Sequence, residues 1–133
     1  MADAMPILMS VAAMLFVLSA CAGGTEPGAP VKREYSSNAP LGLGGDLYGF
    51  FVTLKGAQGA AEIEDYVGCV VAGYTLEKKY GFARHVRTKV KEEGGVWTAD
   101  AVYTISPSLP RGLRTMDAEV TAADCAVRGI PTV

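Results

Sequence analysis

Apolar and polar positions change period several times along the chain, and each change marks an element. From Leu47 to Lys55 (LYGFFVTLK), aromatic and β-branched residues crowd between glycines, which predicts a strand. From Ala60 to Tyr80, Ile63, Val67, Val70 and Tyr74 recur at helical spacing, with Tyr66 and Val71 beside them. Glu62, Glu64 and Asp65 in the first turns of this helix, and Lys78 and Lys79 in its last, suit the helix dipole. Gly81 then offers a left-handed cap. Arg84 to Lys91 alternates, with Val86, Thr88 and Val90 on one face and His85, Arg87, Lys89 and Lys91 on the other. The turn Glu92-Glu93-Gly94-Gly95 leads into Val96 to Ser106, whose core face carries Trp97, Ala99, Ala101, Tyr103 and Ile105. These two segments are expected to pair antiparallel. Pro107 and Pro110 end the run, and Leu113 to Met116 is a candidate short strand. In the tail, Asp117 can cap a helix over Ala118 to Arg128, closed by Gly129 and Pro131. The 114–122 stretch also alternates well enough for a strand; its alanines favour the helix.

This order predicts an α+β domain: a small antiparallel sheet with one long helix (60–80) and a short C-terminal helix packed on one face. Ahead of it, Ala22 to Gly45 holds six glycines and three prolines with little apolar periodicity. Such a composition buries too little surface to offset the entropy of ordering, so it reads as a flexible tether spanning roughly 25–30 Å. Gly42-Leu43-Gly44-Gly45 follows no strand and opens no helix, so it does not read as a phosphate loop.

Met5 to Ala22 is apolar apart from two serines and ends in small residues, the pattern of a secretory leader. An uncleaved spanning helix needs about 20 apolar residues and is disfavoured here by the absence of flanking Lys or Arg. Leu18-Ser19-Ala20-Cys21 resembles the lipobox of bacterial lipoproteins. The resemblance implies acylation of Cys21, cleavage before it, and a membrane partner reached through the lipid anchor. Two or three acyl chains suit a stable tether, since a single chain binds only reversibly. With Ala22 rather than Asp after the cysteine, it also implies the outer membrane, facing the periplasm. The expected organisation is a signal peptide over 1–20, acylated Cys21 with a linker over 21–45, and a folded domain over 46–133.

With Cys21 acylated, Cys69 and Cys125 remain. In an oxidising compartment an even remainder reads as a disulfide, the alternative being two buried free thiols. A domain of this size often needs such a staple.

Ala72 to Phe82, AGYTLEKKYGF, is similar to a stretch of small uncharacterised alphaproteobacterial lipoproteins. Ala72, Thr75, Leu76, Glu77 and Tyr80 match, whereas Lys79 stands where those proteins carry glycine. Asp117-Ala118-Glu119-Val120 matches their tail loosely. The resemblance implies the architecture and no assigned activity.

The formal charge of −2 becomes −1 once Asp3 leaves with the leader, which gives no reason to expect nucleic acid. His85 is the single histidine and lacks neighbours for a zinc site. A trio of Ser106 or Ser108 with His85 and Asp100 can be written for almost any chain of this length, and the acidic residues Glu62, Glu64 and Asp65 most simply serve the helix terminus. No catalytic residue, metal or cofactor is therefore expected. The basic row His85, Arg87, Lys89 and Lys91 is the candidate ligand-binding surface, suited to anionic lipid or envelope polymer. The function expected is a non-enzymatic envelope lipoprotein acting on a partner protein.

Overall fold

The computed structural model describes residues 31–112 and 114–133. The leader, Cys21 and the first part of the expected linker lie outside the described residues. The elements run β1 (Glu34–Ser37), β2 (Leu41–Gly44), β3 (Leu47–Lys55), α1 (Ala60–Glu77), β4 (Phe82–Glu93), β5 (Val96–Ser106), β6 (Thr115–Asp117) and α2 (Ala118–Arg128). All pairings are antiparallel, in the order β1-β3-β5-β4-β6, with β2 sharing the β1 edge of β3. The protein is α+β, with both helices on one face of the sheet.

Alternation explains which face is covered. Phe50, Val52 and Leu54 of β3 and Ala99, Ala101, Tyr103 and Ile105 of β5 point one way and are buried. They pack against Ile63, Tyr66, Val67, Val70 and Val71 of α1. Each large aliphatic or aromatic side chain in this layer stabilises the fold by about 1.5–3 kcal/mol relative to exposure. The alanines at β5 let α1 approach the sheet closely. Thr75, the buried polar residue of α1, donates its hydroxyl proton to the Val71 carbonyl at 2.7 Å, so its burial leaves no unmet donor.

Glu34–Ser37 and Leu41–Gly44 are strands rather than flexible tether, so the folded domain begins earlier than residue 46. The hydrogen-bonding edge of β3 supplies what their composition lacks. Glu34 to Ser37 pairs with Lys55 to Val52, and Leu41 to Gly44 with Gly49 to Leu47. Arg33 adds a bidentate contact, donating from Nε and Nη2 to both carboxylate oxygens of Glu62 at 2.9 Å.

The first helix ends at Glu77, three residues before the expected limit, and Lys79 rather than Gly81 turns the chain. Lys79 has φ 62. The amides of Lys79 and Tyr80 donate to the carbonyls of Leu76 and Thr75 at 2.8 and 3.0 Å, a Schellman closure. The second helix ends in the same motif with Gly129 at φ 69. Its start is capped by Asp117, whose Oδ1 accepts from the Val120 amide at 3.1 Å.

Cys69 and Cys125 are joined by a disulfide with Cα atoms 5.9 Å apart. Only Ala118 and Cys125 of α2 are buried, so the bond is the main anchor of that helix. Arg128 adds an ion pair to Asp65 of α1 and a second, at 3.4 Å, to Asp124. Beyond α2 the chain lies back over α1, where the Tyr66 hydroxyl donates to the Val133 carbonyl at 3.0 Å.

Candidate functional site

Two surfaces concentrate polar chemistry, and a single irregularity in β4 separates them. Between His85 and Arg87 the register slips by one residue: His85 sits opposite Tyr103 and Arg87 opposite Val102. Val86 is therefore the extra residue of a β-bulge, 47% exposed and unpaired. Past the bulge, alternation restarts on the other foot. Arg87, Lys89 and Lys91 occupy the helix-free face, whereas His85 turns to the helix side with Thr88 and Val90. The expected four-residue basic row is thus three residues long, because the extra residue puts His85 out of phase with Arg87, Lys89 and Lys91.

On the helix-free face, Lys89 lies across from Asp100, and Arg87 reaches the same carboxylate at 3.6 Å. Phe51 faces Asp100 from β3 and is 44% exposed. Leu41 and Leu43 add further exposed apolar surface, with Leu43 lying over Gly49. Together with Arg87 and Val102 they border an open groove of about 470 Å³. A basic row thus runs beside an aliphatic and aromatic patch on a face no helix covers.

On the helix side, Glu64, His85, Thr88, Tyr103 and Arg114 line an open pocket of about 540 Å³. Arg114 Nη1 lies 3.2 Å from His85 Nδ1, and His85 Nε2 lies 2.8 Å from Thr88 Oγ1. A guanidinium can only donate, so Nδ1 accepts and the imidazole carries its proton on Nε2, given to Thr88. The His85 amide also donates to the Arg114 carbonyl at 3.1 Å, which ties the β5–β6 loop to β4. Arg114 holds φ 63, a conformation disfavoured for its side chain. The rings of His85 and Tyr103 meet edge to face at 5.1 Å.

Burial first, and then the Arg114 charge, lowers the His85 pKa, while Glu64 opposes both. Burial, reinforced by Glu64, pushes the Tyr103 phenol up to about 12. At neutral pH the pocket therefore holds a neutral imidazole and a protonated phenol between two opposite charges. Pattern reading placed His85 on the wrong face and assigned Glu64 to the helix terminus. It missed Arg114, whose position depends on a loop with no periodic signal.

The three acidic residues of α1 part company: Glu62 holds Arg33, Asp65 holds Arg128, and Glu64 borders the pocket. Pairing with Arg33 lowers the Glu62 pKa. The trio written with His85 is not brought together. Asp100 and Ser106 lie on the opposite face, and the Ser106 hydroxyl donates to the Ser108 carbonyl at 2.7 Å. Glu77 is exposed at the end of α1, beside a cleft of about 200 Å³ next to Tyr74 and Asn38. Among the described residues, no group of three His, Cys, Asp or Glu is placed to hold a metal ion, and no helix is long and apolar enough to cross a membrane.

Comparison with known proteins gives a family and no activity. No solved structure matches the chain significantly. A protein of Paracoccus denitrificans, described as an uncharacterized 26.9 kDa protein in the nqo8 5' region, is 33% identical over 78 residues. The match covers 59% of this chain and 31% of that protein, so the chain aligns with about a third of its relative's length. The profile of the YNQ4 C-terminal domain matches residues 35–129, starting within β1 and ending just past α2. It thus includes the two strands that composition assigned to a tether, and the chain belongs to the YNQ4 C-terminal domain family.

Proposed function

We propose that this domain is an exported, membrane-tethered interaction module, held by acylated Cys21, that binds a partner protein through its helix-free sheet face and performs no catalysis. The observation that carries the reading is the asymmetry of the sheet. One face is filled by α1, against which α2 packs, while the other presents Leu41, Leu43 and Phe51 to solvent beside Arg87, Lys89 and Lys91. An exposed apolar patch rimmed by charge is the composition of a protein-binding surface. Its cationic row favours a partner offering acidic side chains around an apolar centre. The buried Cys69–Cys125 bond supports an oxidising compartment, and the Leu18-Ser19-Ala20-Cys21 leader supports the anchor.

Photo-crosslinking in intact cells from position 51, compared with position 127 on α2, tests the surface. Capture of one protein from position 51 alone, abolished by Arg87→Glu with Lys89→Glu, is the expected outcome. Equal capture from both positions refutes it. Binding to envelope fractions that ignores Phe51→Ala but collapses with added salt would instead favour an anionic lipid or polymer on the same basic row. Mass spectrometry should find acyl chains on Cys21 and no free thiol; a mature chain retaining Met1 would remove the anchor from the reading.

A further inference from the structure

The helix-side pocket is separate from the proposed docking face and has chemistry of its own. All five lining side chains are polar or ionisable, in a domain whose helix-facing sheet surface is otherwise mostly apolar. Four elements of chain contribute: Glu64 from α1, His85 and Thr88 from β4, Tyr103 from β5, and Arg114 from the β5–β6 loop. The bulge at Val86 lets His85 and Thr88, three positions apart, share this side of the strand. Arg114 is locked in place by two bonds to His85 while holding a left-handed backbone conformation disfavoured for its side chain. With Nη1 given to His85, the Nε and Nη2 edge of the guanidinium remains for a planar anion.

The charges are the informative part. Among the described residues, the other two acids early in α1 each hold an arginine, but Glu64 forms no ion pair, and neither does Arg114. Two opposite charges thus border one pocket without neutralising each other, with the His85–Tyr103 pair between them. Such an arrangement is complementary to a ligand carrying both signs. The volume of about 540 Å³ lies within the range of small-molecule sites.

We propose that this pocket binds a small zwitterion, such as the free ends of a short peptide, with its carboxylate on Arg114 and its amine on Glu64. His85 acts as a positioning residue: its neutral Nδ1 holds the guanidinium in line. The Tyr103 phenol supplies a further donor to the bound carboxylate.

The test uses the full chain and L-alanyl-L-alanine as probe, beside its N-acetyl derivative and its C-terminal amide. His85 is the single histidine, so its ring protons report the pocket without ambiguity in an NMR titration. Saturable movement by the unblocked dipeptide is expected, with either blocked form weakened by roughly tenfold or more, as for loss of one charge-assisted hydrogen bond. Glu64→Gln and Arg114→Gln should each produce a comparable loss, with melting curves confirming that the variants fold. Lys55→Gln, exposed at the far end of β3, should leave affinity unchanged. No saturable shift with the dipeptide overturns the proposal. Equal binding of the N-acetyl form reduces the pocket to an anion site, and equal binding of the amide to a cation site; either result refutes the zwitterion. Because these readouts do not involve the helix-free face, their failure and the failure of the docking surface are distinguishable.

Discussion

Replacing Cys69 and Cys125 together with alanine removes the covalent tie between α1 and α2 while avoiding the buried hydroxyls that serine would introduce. The two residues are 56 positions apart, and closing a loop of that size costs the unfolded chain entropy worth about 4 kcal/mol. Little else would compensate. Only Ala118 is buried on α2 besides the cysteine, and its Arg128–Asp65 pair is half exposed and worth about 0–1 kcal/mol. Against a typical total of about 5–15 kcal/mol, the bond is a large fraction of the stability. Urea unfolding followed by circular dichroism measures it. For a slope of about 2 kcal/mol per molar, the midpoint should fall by about 2 M. Reducing the unaltered protein should reproduce the shift. Native-state hydrogen exchange should show protection lost first over Ala118–Arg128, with β3 and β5 holding out longest. A loss below about 1 kcal/mol, or a thiol that titrates in the native oxidised protein, would refute the reasoning.

Three further outcomes follow from contacts described above. The His85 ring should titrate below its ordinary value of 6.5, and Arg114→Gln should raise the midpoint without fully restoring it, since burial is the larger cause. Because the folded pKa is depressed, the unfolded chain takes up the proton first as pH falls. Stability from this residue is therefore present above pH 6.5 and declines below it until the folded pKa is reached; thermal melts at several pH values check the sign. Lys79→Gly should raise stability by roughly 0.5–1 kcal/mol by relieving its left-handed conformation, whereas Gly129→Ala at the equivalent position of α2 should lower it by about 1 kcal/mol. Gly73→Ala should cost about 1–3 kcal/mol, since a Cβ there would lie 2.6 Å from the Thr132 carbonyl oxygen and push the tail and its bond to Tyr66 away; chemical denaturation of the variant measures the loss.

The elements legible in the sequence are those whose pattern is reinforced by their own packing. The bounds of β3 and β5 follow from runs of β-branched and aromatic residues, and α2 from Asp117 at one end and Gly129 at the other. Less legible were elements made by pairing rather than by composition. Tyr35 and the Leu41-Gly42-Leu43 alternation carry a weak period of two, but short glycine-bearing strands owe their existence to the free edge of β3. The end of α1 was misplaced because a lysine took the role expected of glycine, which no propensity argument favours. For the pocket, His85 stood out as a residue while its surroundings did not. Strict alternation through 84–91 conceals an unpaired residue, and Arg114 reaches the ring through a loop.

The unpaired valine in β4 makes this strand tolerant of a change that would disrupt most others. A residue added to or lost from a regular strand exchanges its buried and exposed sides from that point on. Losing Val86 would leave His85 opposite Tyr103 and Arg87 opposite Val102, with every other rung of the ladder intact. A chain shortened by this one residue would therefore still present the imidazole to one side of the sheet and the cations to the other, which most single-residue deletions within a strand would not allow.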